Sequence, residues 1–273
     1  MYYIKATDGC RIAVEDIHKD AKETIVLVHG WPLSKEMYEY QKGTLNDAGY
    51  RIVSFDLRGF GDSEVTSTGY DYDQLATDLH SVIESLSVDS VYLVGFSMGG
   101  AICVRYMSLF QNEKVSKLIL AGAAAPSFDR SKNNPYGNSV ESTETLLQSL
   151  YKDRENAIDD FGNKVFALEH SSSFKKWFRD LGFKASYIGT FRTALSLKNE
   201  DVFEDLSKIS VPTLIMHGRM DQICPYGLAL IMNEQIKGSL LDTFEYSGHG
   251  LFYDERMKFD NDLLLFIKKN ECI

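Results

Sequence analysis

The sequence predicts an α/β fold: a mostly parallel sheet covered by helices on both faces, with a helical insertion past its midpoint. Three observations predict it. Short apolar runs alternate with stretches of helical spacing along most of the 273 residues, the order that a parallel sheet requires. Runs such as Thr24–Val28 are apolar without a break, as in a strand buried on both faces. The alternation stops over residues 126–207 and then resumes.

Taken in order, residues 2–5 and 10–17 read as an opening strand pair that turns near Asp8-Gly9, a strong turn dipeptide. Thr24–Val28 is the third strand and stops at His29-Gly30. Ser34 is placed to cap a helix running through Asp47, and Gly49 to end it. Residues 50–55 form the fourth strand and run into the turn-rich Asp56-Leu57-Arg58-Gly59-Phe60-Gly61-Asp62-Ser63. Over 72–86, Leu75, Leu79, Val82, Ile83 and Leu86 share one helical face. Residues 91–94 and 115–120 are the fifth and sixth strands, with helix-compatible 98–110 between them.

Residues 126–207 open with a polar stretch and continue as helical sequence rich in aromatics, among them Phe161, Phe166, Phe174, Trp177 and Phe178. Aromatics at helical spacing are read as that segment's own packing. Residues 211–216 and 240–246 complete eight strands, with helices near 226–236 and 255–269. The chain thus divides into a core of 1–125 and 208–273 and a helical cap insertion of 126–207.

Composition narrows the function. At 44% hydrophobic and 25% charged, the chain reads as a globular protein with ample core. Net charge is −10 and Lys and Arg form no run, which argues against a nucleic-acid partner. Cys10, Cys103, Cys224 and Cys272 are far apart without C-x-x-C spacing, so neither a disulfide framework nor a zinc site is expected. No basic-then-apolar leader opens the sequence. No stretch approaches the roughly 18 apolar residues of a membrane span. The expectation is a cytoplasmic protein with no membrane partner. The sequence does not set its oligomeric state.

The chemistry starts at Gly95-Phe96-Ser97-Met98-Gly99. This G-x-S-x-G lies between a strand and a helix, where a sharp turn projects the serine hydroxyl. Serine is a weak nucleophile until an imidazole takes its proton, and that imidazole needs a carboxylate to orient it. In such a sheet, functional groups gather at the carboxyl ends of strands. Asp221 lies past the seventh strand, in Gly218-Arg219-Met220-Asp221, and His249 past the eighth, in Gly248-His249-Gly250. A rival acid would follow the sixth strand, but Ala-Gly-Ala-Ala-Ala-Pro offers no carboxylate before Asp129. Two amides are needed for a developing oxyanion. Met98 supplies one. Trp31, in His29-Gly30-Trp31-Pro32, supplies the other, because Pro32 has no N–H. His29 is expected to hold its loop by hydrogen bonds rather than act as base.

Together these segments resemble the α/β-hydrolase superfamily over essentially the whole chain. The pieces His29-Gly30-Trp31-Pro32, Phe55 to Ser63, Gly95 to Gly100 and Gly248-His249-Gly250 look most like its cofactor-free haloperoxidase and aryl esterase branch, which is perhydrolase-like. The resemblance implies Ser97 as nucleophile, Asp221 as acid, His249 as base and the Trp31 and Met98 amides as oxyanion donors. It implies hydrolysis of small carboxylic esters through an acyl-enzyme, with peracid formation as a side activity and no metal or organic cofactor. The partner is a small ester or acyl substrate. A lactonase or C–C bond hydrolase on the same triad is the alternative, and a non-catalytic ligand-binding protein on the same fold is the alternative of another class. Haloalkane dehalogenases and epoxide hydrolases are disfavoured, since those relatives carry Asp where Ser97 stands.

Overall fold

The computed structural model describes residues 1–269. Its eight strands form one sheet: β1 (Tyr2–Lys5), β2 (Arg11–Ile17), β3 (Thr24–Val28), β4 (Arg51–Phe55), β5 (Val91–Phe96), β6 (Val115–Ala121), β7 (Thr213–Gly218) and β8 (Leu240–Phe244). Their spatial order is β1-β2-β4-β3-β5-β6-β7-β8. The β1–β2 and β2–β4 pairs are antiparallel and all others parallel. Every residue of β3 and of β7 is buried, as strands covered on both faces must be. The covering helices are α1 (Glu39–Asp47), α2 (Tyr72–Ser85), α3 (Met98–Leu109), α9 (Gly227–Gln235), α10 (Leu251–Asp254) and α11 (Arg256–Lys268).

Between β6 and β7 the described chain is helical: α4 (Val140–Lys152), α5 (Arg154–Lys164), α6 (Ser172–Phe183), α7 (Tyr187–Asn199) and α8 (Phe203–Leu206). Ser139, Asp153, Ser171 and Ser186 start α4 to α7, each side chain accepting an amide of the first turn. Each such cap contributes about 1 kcal/mol. The aromatics here are more than the segment's own packing. Phe166, Phe174, Trp177 and Phe178 all meet Tyr253 of α10, and Trp177 also meets Tyr40 of α1. They seal the helical segment onto the sheet domain.

Several boundaries differ from the sequence reading: the fifth strand runs on to Phe96, and the seventh, expected over 211–216, spans Thr213–Gly218. Ser34 does not cap: its buried hydroxyl has no hydrogen-bond partner among the described residues, and the Asp56 carboxylate accepts the Lys35 amide at 2.8 Å instead. A 3-10 turn at Lys35–Tyr38 therefore precedes α1. The eighth strand ends at Phe244 rather than residue 246. The closing helix expected over 255–269 is α11, and the short α10, which the sequence reading did not foresee, precedes it across Glu255, whose backbone leaves the helical region at φ −119° and ψ 50°. Its carboxylate accepts from the Ser247 hydroxyl at 2.7 Å and the Tyr246 amide at 3.0 Å.

Cys10, Cys103 and Cys224 are buried free thiols; Cys272 lies outside the described residues. No described helix is long and apolar enough to cross a membrane.

Candidate active site

Ser97 sits between β5 and α3 with φ 55° and ψ −122°, a sparsely populated conformation that costs a non-glycine residue about 1–3 kcal/mol. Its surroundings hold it there. The Ser97 amide donates to the Ala121 carbonyl at 3.0 Å, and its own carbonyl accepts from Gly100 at 2.9 Å and Ala124 at 3.0 Å. The flanking glycines answer a spatial demand. A Cβ on Gly95 would lie 2.7 Å from both the Cys103 sulfur and the Gly99 carbonyl oxygen. One on Gly99 would strike the backbone of Val28 and His29.

The three residues singled out from sequence come together. Ser97 Oγ lies 2.9 Å from His249 Nε2, and His249 Nδ1 lies 2.7 Å from Asp221 Oδ2. A carboxylate only accepts, so Nδ1 carries the proton and Nε2 faces the serine hydroxyl as acceptor. Asp221 Oδ1 accepts the amides of Ile223 and Cys224, both at 2.8 Å. Burial alone would raise the Asp221 carboxyl; the imidazoles of His249 and His217 outweigh it and hold the group below the usual carboxylate range. The His249 ring is buried, tilted against Phe96 at 4.6 Å and edge-on to Phe161 at 6.4 Å.

His29 does not join them. Its Nε2 accepts the Leu57 amide at 3.0 Å and its Nδ1 donates to the Gly30 carbonyl at 3.0 Å. Burial, chiefly, pushes its pKa down, so it is a neutral ring bracing its loop. That loop brings Trp31 over Ser97. Among the described residues, neither the Trp31 nor the Met98 amide has a protein acceptor. Met98 also opens the N-terminus of α3, where the first backbone amides have no partner within the helix.

Sequence reasoning missed His217. It is wholly buried on β7, donates Nε2–H to the Cys224 carbonyl at 2.8 Å, and stands 3.4 Å from the same Asp221 oxygen that His249 uses. The available signal was a histidine inside an otherwise apolar strand, four residues before the acid.

Above Ser97 lies a cavity of about 330 Å³. Its apolar wall includes Trp31, Phe128, Leu146, Phe161 and Ile223, and α4 adds neutral hydroxyls such as Ser142 and Ser149. The charged side chains on its lining are Asp160 and Lys164, both exposed. Among the described residues no cluster of three or more His, Cys, Asp or Glu side chains is arranged to hold a metal ion.

A family model described as the alpha/beta hydrolase fold matches residues 23–256. The AB hydrolase superfamily protein YisY of Bacillus subtilis (strain 168) is 40% identical over 97% of this chain and 98% of its own length. The solved esterase EaEST from Exiguobacterium antarcticum superposes with a TM-score of 0.95 at 44% identity, covering 98% of this chain and 99% of that one. A bromoperoxidase from Bacillus anthracis superposes at 0.92 with 34% identity, covering 98% of this chain and all of that one.

Proposed function

Because the chain belongs to the α/β hydrolase fold family, with relatives named as esterase and bromoperoxidase, we propose that it is a serine hydrolase of small carboxylic esters. The observation that carries this reading is the unbroken line from Asp221 through His249 to Ser97, 2.7 and 2.9 Å, beneath a cavity and beside two amides that have no protein acceptor among the described residues.

In this mechanism His249 Nε2 takes the Ser97 proton as Oγ attacks the ester carbonyl carbon. The oxyanion that forms accepts from the Trp31 and Met98 amides, which are already oriented and need no reorganisation. Asp221 stabilises the imidazolium. Collapse expels the alcohol, which leaves with the proton from His249, and the acyl group stays on Ser97. His249 then deprotonates water, which attacks the acyl carbon and frees the acid. Hydrogen peroxide in place of water yields a peracid, the perhydrolase side activity. Residues 126–207 act as a cap on the core of 1–125 and 208–273 and supply the α4 and α5 walls of the acyl site.

The cavity's lining, neutral apart from the exposed Asp160 and Lys164, supports an uncharged substrate. A buried carboxylate without a partner is costly, and the wall offers only the exposed Lys164 as a cation. Esters and lactones fit this lining better than the dienone-type acids of C–C hydrolases. Ser97→Ala should lower turnover of a short p-nitrophenyl ester by roughly 10³-fold or more; undiminished turnover overturns the assignment. A folded wild-type chain that neither turns over esters nor takes up a fluorophosphonate probe would instead be a ligand-binding protein.

A further inference from the structure

Outside the triad, one carboxylate touches both the loop that carries His249 and the segment that follows α5. Asp254 closes α10, and its side chain is wholly buried. Its Oδ2 accepts the Gly248 amide at 2.8 Å and the Ala167 amide at 2.8 Å. Its Oδ1 accepts the Leu168 amide at 3.3 Å and lies 2.8 Å from His170 Nε2. Four donors fill a carboxylate's accepting sites, which is how a charge this buried is tolerated.

The same two segments meet again at Gly250, whose amide donates to the Val165 carbonyl at 2.8 Å. They approach so closely that a Cβ on Gly248 would lie 2.7 Å from the Val165 oxygen and 2.9 Å from the Ala167 nitrogen. His249 is therefore bracketed at 248 and 250 by contacts to residues 165–168. Immediately upstream, α5 places Ala157 and Phe161 in the cavity wall, and Phe161 faces the His249 ring.

We propose that Asp254 is a positioning residue for the reaction: it fixes His249 against the α5 wall, so that base placement and acyl-site shape are set together. The inference rests on the hydrolase reading above. Displacing a reacting group by about 1 Å costs about 10²-fold in rate, so a tie on this loop governs turnover without touching substrate.

Asp254→Asn tests it, because the amide turns one accepting oxygen into an NH₂ group facing backbone donors. Labelling with a fluorophosphonate to completion counts functional serines, so turnover is expressed per site at a temperature where the variant is folded. The per-site kcat for a short p-nitrophenyl ester should fall roughly 10- to 100-fold, with a smaller change in KM. The fall should be steeper for an ester bulky enough to press on Phe161. Asp16→Asn is the control: Asp16 is equally buried and pairs with Arg51 at the far side of the sheet, so its per-site kcat should stay at the wild-type value. If Asp254→Asn does not fold, His170→Ala removes one donor and leaves three; its per-site kcat should fall in the same direction by less. Unaltered per-site kcat in the folded variant, or an equal loss in the control, overturns the proposal. A labelled, active wild type with unaltered variants overturns this inference alone; an unlabelled, inactive wild type overturns the hydrolase reading with it.

Discussion

The indole Nε1–H of Trp31 donates to the Thr190 carbonyl of α7 at 3.0 Å. Phe161 of α5 meets the same indole edge-on, at 5.3 Å between ring centroids. The amide assigned to the oxyanion thus belongs to a residue whose side chain is held by two helices of the 126–207 segment. Oxyanion donors are effective because they are fixed in advance, and in the proposed mechanism the fixing of Trp31 comes from residues 126–207.

Trp31→Phe keeps a ring in place and removes the donor to Thr190. It should cost about 1 kcal/mol of stability, read as a lower denaturation midpoint at unchanged slope. It should also lower kcat for a short ester more than it changes KM. Unchanged kcat would mean that the amide is set by its own loop.

Asp221→Asn should leave the fold intact and lower kcat by about 10³- to 10⁴-fold at pH 7, because the amide no longer secures the tautomer of His249. The sign of the pH effect follows from the depressed carboxyl. A group whose pKa is lower folded than unfolded contributes its stability above the unfolded value, about 4, and loses it as pH falls below that. The difference in unfolding free energy between wild type and Asp221→Asn should therefore shrink as pH is lowered through that window in a denaturant series.

His217→Phe removes the donor to the Cys224 carbonyl, a ring nitrogen that also stands 3.4 Å from Asp221 Oδ2. It should cost about 1–3 kcal/mol, since a buried acceptor loses its partner. It should also lower kcat by loosening the turn that carries the acid. His217→Gln, which keeps a donor in reach, should recover part of both; equal losses in the two variants would show that ring packing against Tyr226, not the hydrogen bond, is what matters.

Phe161→Ala enlarges the cavity beside His249. Its cost in stability should be about 3–5 kcal/mol. Relative kcat/KM should move toward bulkier acyl groups, measured on a series of p-nitrophenyl esters of rising chain length. An unchanged ranking would place the acyl group elsewhere.

Much of this site could be read from sequence because its parts are local. Gly95-x-Ser97-x-Gly99 encodes a turn whose sterics demand glycine, Asp221 follows the wholly buried β7, and Gly248-His249-Gly250 follows β8. The alternation of runs places all three beyond the carboxyl ends of their strands, β5, β7 and β8. Contacts made by distant segments left no such trace. Nothing near Ser34 shows that Asp56 will take the Lys35 amide. The aromatic spacing of 161–191 does not show that Tyr253 and Tyr40 complete the cluster. Asp254 looks like any helix-end acid until residues 165–170 fold onto it. Its role depends on backbone amides, which carry no sequence signature.

Ser97 and His249 are separated by 152 positions in the chain, and Asp221 and His249 by 28. No early local element contains a working pair, and the helical segment must dock before Trp31 is clamped. The hydroxyl–imidazole contact is among the most non-local in the molecule, and contacts of high sequence separation form late because loop closure costs entropy first. Recovery of the proposed esterase activity after dilution from denaturant should therefore lag behind recovery of helical signal, making catalysis itself a probe of the last stage of folding.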